Sequence, residues 1–421
     1  MSSSKSDILV VVLSQGLAAA GLLIGMRMQT EFITPEIFGA AALMVGYAAI
    51  CIGLVSTPYL QAALRFYPEF ASRNRERALK RHVVGLVSSR MRLVLIATVM
   101  IGGVLCALRE MSFWQVGLIA VISSVDVYRA VELAFLNASR KQNSYGAWTV
   151  YEAWSRPLMA VLFVHLFGAS VEAVLSGYAC ASSISLLIYL AIQGSLTVNP
   201  TIEELHPDTI EQLADIRKYA KPLFPMGLVG IISSLSDRYV VGGLLGLHEA
   251  GIYSAVAGLI SRPFLMTQNA IELAVRPHYF NAVSTQDVAK ERQIYTHWLM
   301  FNAGAGASIV VLLLLCQDSL VQLLLGKSYA EGGALIPLLG IAQFFVMVTY
   351  NLNAYLYAHK HTRDIFKLAA VNALIALICL TLAGHYWGLR GIAAATVLYY
   401  FLLLIMTALC VGARLRHRRI V

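Results

Sequence analysis

The chain of 421 residues is 58% hydrophobic and only 13% charged, with a mean hydropathy of +0.69 and a formal net charge of +9 at pH 7. Soluble globular chains carry about 25% charged residues, so this composition excludes a soluble globular domain and describes an integral membrane protein. The positive charge lies almost wholly in the connections between apolar stretches, where it sets membrane orientation and calls for no nucleic-acid partner.

A hydropathy window of about 19 residues predicts twelve spanning helices, at 8–27, 38–60, 91–108, 113–136, 145–168, 171–193, 222–245, 251–274, 295–316, 333–357, 366–384 and 390–412. The expected fold is an all-α polytopic membrane protein. Its first span follows Lys5 and contains Ala18-Ala19-Ala20, features shared with signal peptides, but its length and the spans behind it predict an uncleaved helix. The connection 61–90 carries Arg73-Asn74-Arg75-Glu76-Arg77 and Lys80-Arg81, a surface suited to solvent or anionic lipid. The connection 194–221 opens on Asn199-Pro200 and continues as a short amphipathic helix with Ile210, Leu213 and Ile216 on one face. The expected division is a six-helix bundle at 1–193, a cytoplasmic linker with an interfacial helix at 194–221, a second six-helix bundle at 222–412 and a basic cytoplasmic tail at 413–421.

With the N-terminus inside, the inner connections hold 24 lysines and arginines and the outer ones four, namely Arg27, Arg109, Lys327 and Arg390. The positive-inside rule then places both termini in the cytoplasm.

Nine charged side chains interrupt the spans: Asp126, Arg129, Glu132, Glu152, Arg156, Asp237, Arg238, Arg262 and Glu272. An arginine near the bilayer centre costs about 2.5–3.5 kcal/mol on insertion scales, so nine such groups facing lipid would cost on the order of 25 kcal/mol. Most should face a shared polar interior, and a transporter is the leading reading. Asp126, Arg129 and Glu132 recur at i, i+3, i+6 on one face of the fourth span, either as an intrahelical salt bridge or as part of a site. Ser155-Arg156-Pro157 and Ser261-Arg262-Pro263 place an arginine beside a helix-kinking proline near mid-depth. The planar guanidinium fork matches phosphate oxygens, so Arg156 and Arg262 are candidates for pyrophosphate or acidic-sugar contact, against pairing with Glu152 or Glu272. Asp237 and Arg238 point about 100° apart on the seventh span, one toward the interior and one toward a neighbouring helix. Arg27, at the outer end of the first span, either snorkels to the interface or lines the interior.

Each half of the chain has a matching phrase at its first outer turn: Phe32-Ile33-Thr34-Pro35-Glu36-Ile37-Phe38-Gly39, and Leu244-Leu245-Gly246-Leu247-His248-Glu249-Ala250-Gly251-Ile252-Tyr253. An even number of helices per half implies parallel repeats about an axis along the membrane normal. Tyr219-Ala220-Lys221-Pro222-Leu223-Phe224-Pro225, Ser236-Asp237-Arg238-Tyr239-Val240-Val241-Gly242, Leu245-Gly246 and Gly251-Ile252-Tyr253-Ser254 resemble the seventh-helix signature of polysaccharide transporters. Arg65-Phe66-Tyr67-Pro68-Glu69-Phe70 is similar to a further phrase of that family, which lies in the multidrug/oligosaccharidyl-lipid/polysaccharide exporter superfamily.

The resemblance implies two six-helix bundles around a central cavity, working by alternating access in the bacterial inner membrane. The implied activity is flipping of an undecaprenyl-pyrophosphate-linked oligosaccharide, an O-antigen or exopolysaccharide repeat unit. A glycan polymerase and glycosyltransferases are the implied partners. The substrate-binding candidates are then Arg27, Arg129, Arg156, Arg238 and Arg262; Asp126, Glu132, Glu152, Asp237 and Glu272 are candidates for ion coupling or charge pairing. Lipid II flippase relatives have a cationic cavity, whereas here acids nearly balance arginines. The alternative within the superfamily is a cation-coupled multidrug or small-molecule exporter.

Other signals carry no chemistry. Gly326-Lys327-Ser328 lacks the first glycine of a phosphate loop, since Val321 stands there. His359-Lys360-His361 lacks further metal ligands, and the six cysteines show no CxxC pair or disulfide spacing. No enzyme, cofactor or metal is expected.

Overall fold

The computed structural model describes residues 5–108, 110–193, 215–221, 223–359 and 361–420, and among these the chain is helical with no strand. The helices are α1 (Lys5–Phe32), α2 (Pro35–Cys51), α3 (Thr57–Ala71), α4 (Glu76–Ala107), α5 (Phe113–Ala138), α6 (Gln142–Phe167) and α7 (Val171–Gln193). They continue as α8 (Leu223–Leu244), α9 (Leu247–Ser284), α10 (Val288–Leu315), α11 (Gln317–Leu324), α12 (Ile336–Ala358) and α13 (Thr362–Ile420). A five-residue π-helical turn, Ile52–Ser56, joins α2 to α3, and a 3₁₀ stretch, Lys327–Leu335, precedes α12. Each expected span falls on helix to within about three residues, the last two sharing α13. Within α13 the backbone breaks at Gly388, whose φ of 58° and ψ of −147° no side-chain-bearing residue adopts at low cost.

Six helical stretches among the described residues are long and apolar enough to cross a membrane by length and composition. The others, such as α5 with Asp126, Arg129 and Glu132, carry ionic or polar groups that lower their hydropathy. Long exposed apolar bands, among them Leu93, Ile96, Val99, Met100, Ile101 and Val104 on α4, have no aqueous counterpart on a soluble protein. The chain is a multi-pass membrane protein.

The helices form two compact units: unit 1 is Met1–Ile33 with Ala40–Ile231, and unit 2 is Thr34–Gly39 with Ile232–Val421. In unit 1, small residues let helices approach closely, as lipid-embedded packing requires. Trp154 and Pro157 of α6 fill the space that β-carbons on Gly21 and Gly25 of α1 would occupy, and the Trp154 indole N–H donates to the Leu17 carbonyl at 3.0 Å. Gly177 of α7 packs directly on the backbone of Ala160. A second core joins α3, α4 and α5 through Tyr59, Phe70, Leu79, Val83, Val87, Met91, Val127 and Val131. Ile216 and Ala220 complete it, from a helical stretch at 215–220. Ile210 and Leu213 of the expected interfacial helix lie outside the described residues.

In unit 2, buried Tyr253, Tyr329, Tyr355 and Tyr399 form much of the interior. The short segment Thr34–Gly39 packs here too, Phe38 meeting Tyr329 edge-on at 6.1 Å and Glu36 pairing with His248 at 2.5 Å.

Candidate functional site

Unit 1 brings four of the embedded charges into a closed ring of alternating sign. Asp126 and Arg129 come from α5, one turn apart; Glu152 and Arg156 come from α6, also one turn apart. Arg129 pairs with Glu152 and lies 3.6 Å from Asp126. Arg156 pairs with Asp126 and lies 3.9 Å from Glu152. Ser182 of α7 closes one side by accepting from Arg156 Nε at 3.1 Å and Nη2 at 2.7 Å. Asp126 is 2% exposed. Two acids and two guanidiniums so arranged have no net charge, which is how they tolerate burial in an apolar span.

In the ring the partners of Arg156 are Asp126 and Ser182, with Glu152 at the margin. Ser182 has no sequence signal, because a serine in an apolar helix is common and its direction depends on how α7 packs. Beside it, Gln29 of α1 donates to the Tyr178 hydroxyl at 2.6 Å.

Glu132, which shares a helical face with Asp126 and Arg129 by spacing, stands apart from the ring. Fully buried, it accepts from Lys80 of α4 at 2.7 Å. Six residues along a helix are about 9 Å, so Glu132 lies too far along α5 from Asp126 to join the ring and is neutralised by Lys80 instead.

Unit 2 arranges its charges differently. One Asp237 oxygen accepts from the Tyr253 hydroxyl at 2.8 Å, and the other accepts from the Arg238 backbone N–H at 2.8 Å. Thr396 stands 3.4 Å beyond the Tyr253 hydroxyl and donates to the Ile392 carbonyl. Glu272 pairs with Arg276 one turn along α9 at 2.6 Å, and the alternative pairing with Arg262 is not formed. Among the described residues, neither Arg238 nor Arg262 has a carboxylate within salt-bridge distance. Arg27 pairs with Glu31 one turn along α1 at 2.9 Å.

Chemically, the two units offer different things. In unit 1 an anion would have to displace a carboxylate to reach Arg129 or Arg156. In unit 2, among the described residues, no carboxylate forms a salt bridge with Arg238 or Arg262, although the Arg238 charge acts on neighbouring Asp237 through space; the hydrogen bonds to Asp237 come from neutral donors. No group of three or more His, Cys, Asp or Glu able to hold a metal occurs among the described residues.

Residues 114–334 match the family model described as polysaccharide biosynthesis protein. No curated protein matches the chain significantly. Among solved structures, the lipid II flippase MurJ in an inward closed conformation superposes with a TM-score of 0.67 at 14% identity, over 97% of this chain and 88% of that one. A multidrug resistance MATE family transporter of the MOP superfamily, inward-facing, gives 0.70 at 14% identity over 96% and 95%. The Vibrio cholerae MATE transporter VcmN gives 0.62 at 12% identity over 98% and 99%. At these identities the likeness is one of fold.

Proposed function

The chain belongs to the polysaccharide biosynthesis protein family, and from that premise we propose that it is a flippase, moving a polyprenyl-pyrophosphate-linked oligosaccharide across the bilayer by alternating access. The observation that carries the reading is the split in the pairing of its span-embedded charges. An amphiphile with a diphosphate head needs arginines whose forks are not committed to a salt-bridged carboxylate, and among the described residues Arg238 and Arg262 of unit 2 have none. The neutral ring of Asp126, Arg129, Glu152 and Arg156 serves as a polar hinge between α5 and α6 that can exchange partners without stranding a charge. In this reading the 194–221 linker joins two bundles, 1–193 and 222–412. Both termini are cytoplasmic, and the membrane is the bacterial inner membrane. Glycosyltransferases supply the substrate and a polymerase receives it; the protein itself makes and breaks no covalent bond.

A second reading is a cation-coupled exporter of small molecules. Asp237 favours it, as a carboxylate fixed by a tyrosine hydroxyl and a backbone amide in place of a cation. An intramembrane acid of that kind is a proton or sodium site by default.

Proteoliposomes carrying a polyprenyl-pyrophosphate oligosaccharide, assayed with a membrane-impermeant glycosidase, separate the two. The proposal expects the protected half of the labelled lipid to become cleavable only with the protein present, and Arg262→Gln to slow this. Continued protection, together with gradient-driven export of an organic cation, would replace it with the second reading.

A further inference from the structure

One arginine of unit 1 packs against ring faces and, among the described residues, has no salt-bridge partner. Arg90 lies on α4 with its guanidinium carbon 3.7 Å from the centroid of Phe224 and 5.2 Å from that of Tyr59. The two rings meet edge to face at 5.4 Å, so they form an aromatic corner around the cation. Among the described residues no carboxylate comes within salt-bridge distance of Arg90, in contrast to Arg129 and Arg156 of the same unit. Stacking uses the face of a guanidinium and leaves its N–H donors, which point outward in its plane, available to an acceptor.

The depth of Arg90 also points to a ligand. Leu93, Ile96, Val99, Met100, Ile101 and Val104 form the exposed apolar band of α4, and Arg90 precedes Leu93 by three residues, about 4.5 Å along the axis. It therefore stands at the edge of the hydrocarbon region, at headgroup level. That edge is basic: exposed Arg217, Lys218 and Lys221 belong to the stretch leading into α8, which also supplies Phe224. The same stretch is anchored a second time by Tyr219, edge-on to Phe66 at 5.8 Å. Nearby Arg65 is already committed to Glu69 at 3.0 Å, which leaves Arg90 as the preoriented fork.

We propose that Arg90, seated in the corner formed by Phe224 and Tyr59, is a capture site for the phosphate ester of an amphiphile at the basic rim of unit 1. The fork donates to two phosphate oxygens in its plane while the tail of the ligand lies along the α4 apolar band. That the amphiphile is the transported lipid rests on the function proposed above; recognition of a phosphate ester does not. A bilayer lipid with an anionic headgroup offers the same chemistry, and the test separates the two sources.

The test uses the full-length protein in phosphatidylcholine nanodiscs, titrated in one arm with farnesyl pyrophosphate and in the other with phosphatidylglycerol exchanged into the disc. Arg90→Gln is expected to weaken binding about tenfold or more, the size of a lost charge-assisted bidentate contact. Arg90→Lys keeps the charge but not the fork, and is expected to weaken the pyrophosphate arm several-fold. Phe224→Leu leaves Arg90 in place without its aromatic corner and should give an intermediate loss. Thermal midpoints measured alongside identify any variant that fails to fold; in that event Arg90→Lys and Phe224→Leu carry the test. Loss in the farnesyl arm alone assigns the site to the transported amphiphile, and loss in the phosphatidylglycerol arm alone assigns it to a bound bilayer lipid. Unchanged binding in both arms overturns the proposal and leaves Arg90 as a strut between α4 and α8. Equal flipping of lipid-linked oligosaccharide by wild-type protein and Arg90→Gln would exclude the transported amphiphile as the ligand of this site without touching the flippase reading. Arg90-dependent phosphate binding by a protein that flips no such lipid would do the reverse.

Discussion

Gly39 and Gly251 interlock reciprocally: a β-carbon on Gly39 would land on the carbonyl oxygen of Leu247, and one on Gly251 would land on that of Pro35. Pro35 and Gly39 stand one turn apart on α2, as Leu247 and Gly251 do on α9. Glu36 and His248, paired beside them, are separated by the same 212 residues. Such reciprocity is what a local two-fold relation between the two matching phrases would produce, and it explains why glycine stands at both positions. Gly251→Ala is expected to lower the apparent melting temperature in detergent, because backbone atoms cannot move aside as side chains do; overpacking typically costs about 1–3 kcal/mol. Gly243→Ala, where a β-carbon meets open space, is the control and should be neutral or slightly stabilising. Equal melting of the two variants would refute the interlock.

The ring in unit 1 predicts strong non-additivity. Glu152→Gln leaves Arg129 with Asp126 at 3.6 Å as its remaining acid, and breaking a buried pair from one side costs about 3–5 kcal/mol. Arg129→Gln should be comparably harmful. The double variant removes both charges and is expected to recover a large part of the loss, giving a coupling energy well above the ~0.5 kcal/mol scatter of independent sites. Melting curves of the four proteins measure it, and additive effects would mean that the pair is solvated.

Lys80 and Glu132 permit a cleaner exchange, since they pair at 2.7 Å outside the four-charge ring. Lys80→Met strands a fully buried carboxylate and should depress folded yield sharply. The reversed pair, Lys80→Glu with Glu132→Lys, restores complementarity and is expected to express better than either single reversal. Fluorescence-detected size exclusion of all three reads the outcome. A double reversal no better than the singles would show that side-chain shape at these positions outweighs charge.

The spans were legible because lipid demands apolar surface over a fixed thickness, and the embedded charges stood out against that background for the same reason. Their partners were not legible, because pairing depends on how helices rotate against one another. Asp126, Arg129 and Glu132 share a helical face by spacing, yet Glu132 turns to a lysine 52 residues away. Arg262 and Glu272, weighed as a pair, are ten residues apart. That separation is about 15 Å along the axis and 280° around it, so a continuous helix forbids their contact, whereas Glu272 and Arg276 at i, i+4 meet readily. Arg90 was hidden differently. In sequence it is one of many basic residues beside a span, and only folding brings Tyr59 and Phe224 together as a corner against it.

A pH effect is expected at the turn between α12 and α13. His361 lies outside the spans, and its pKa is held below the ordinary histidine value by partial burial first and then by the Arg414 guanidinium and His359. Asp364 opposes this, but its carboxylate is engaged by Arg414 at 3.0 and 2.7 Å. The unfolded chain therefore takes up a proton on this residue near pH 6.5, before the folded chain does. Stability from this group is present above that pH and is lost as pH falls through the lower folded value. His361→Gln should accordingly flatten the decline in apparent melting temperature between pH 7.5 and about 5, while leaving the midpoint at pH 7.5 nearly unchanged. Other histidines titrate in the same window, so the difference between the two curves is the quantity that matters. Parallel curves would mean that His361 titrates alike in both states.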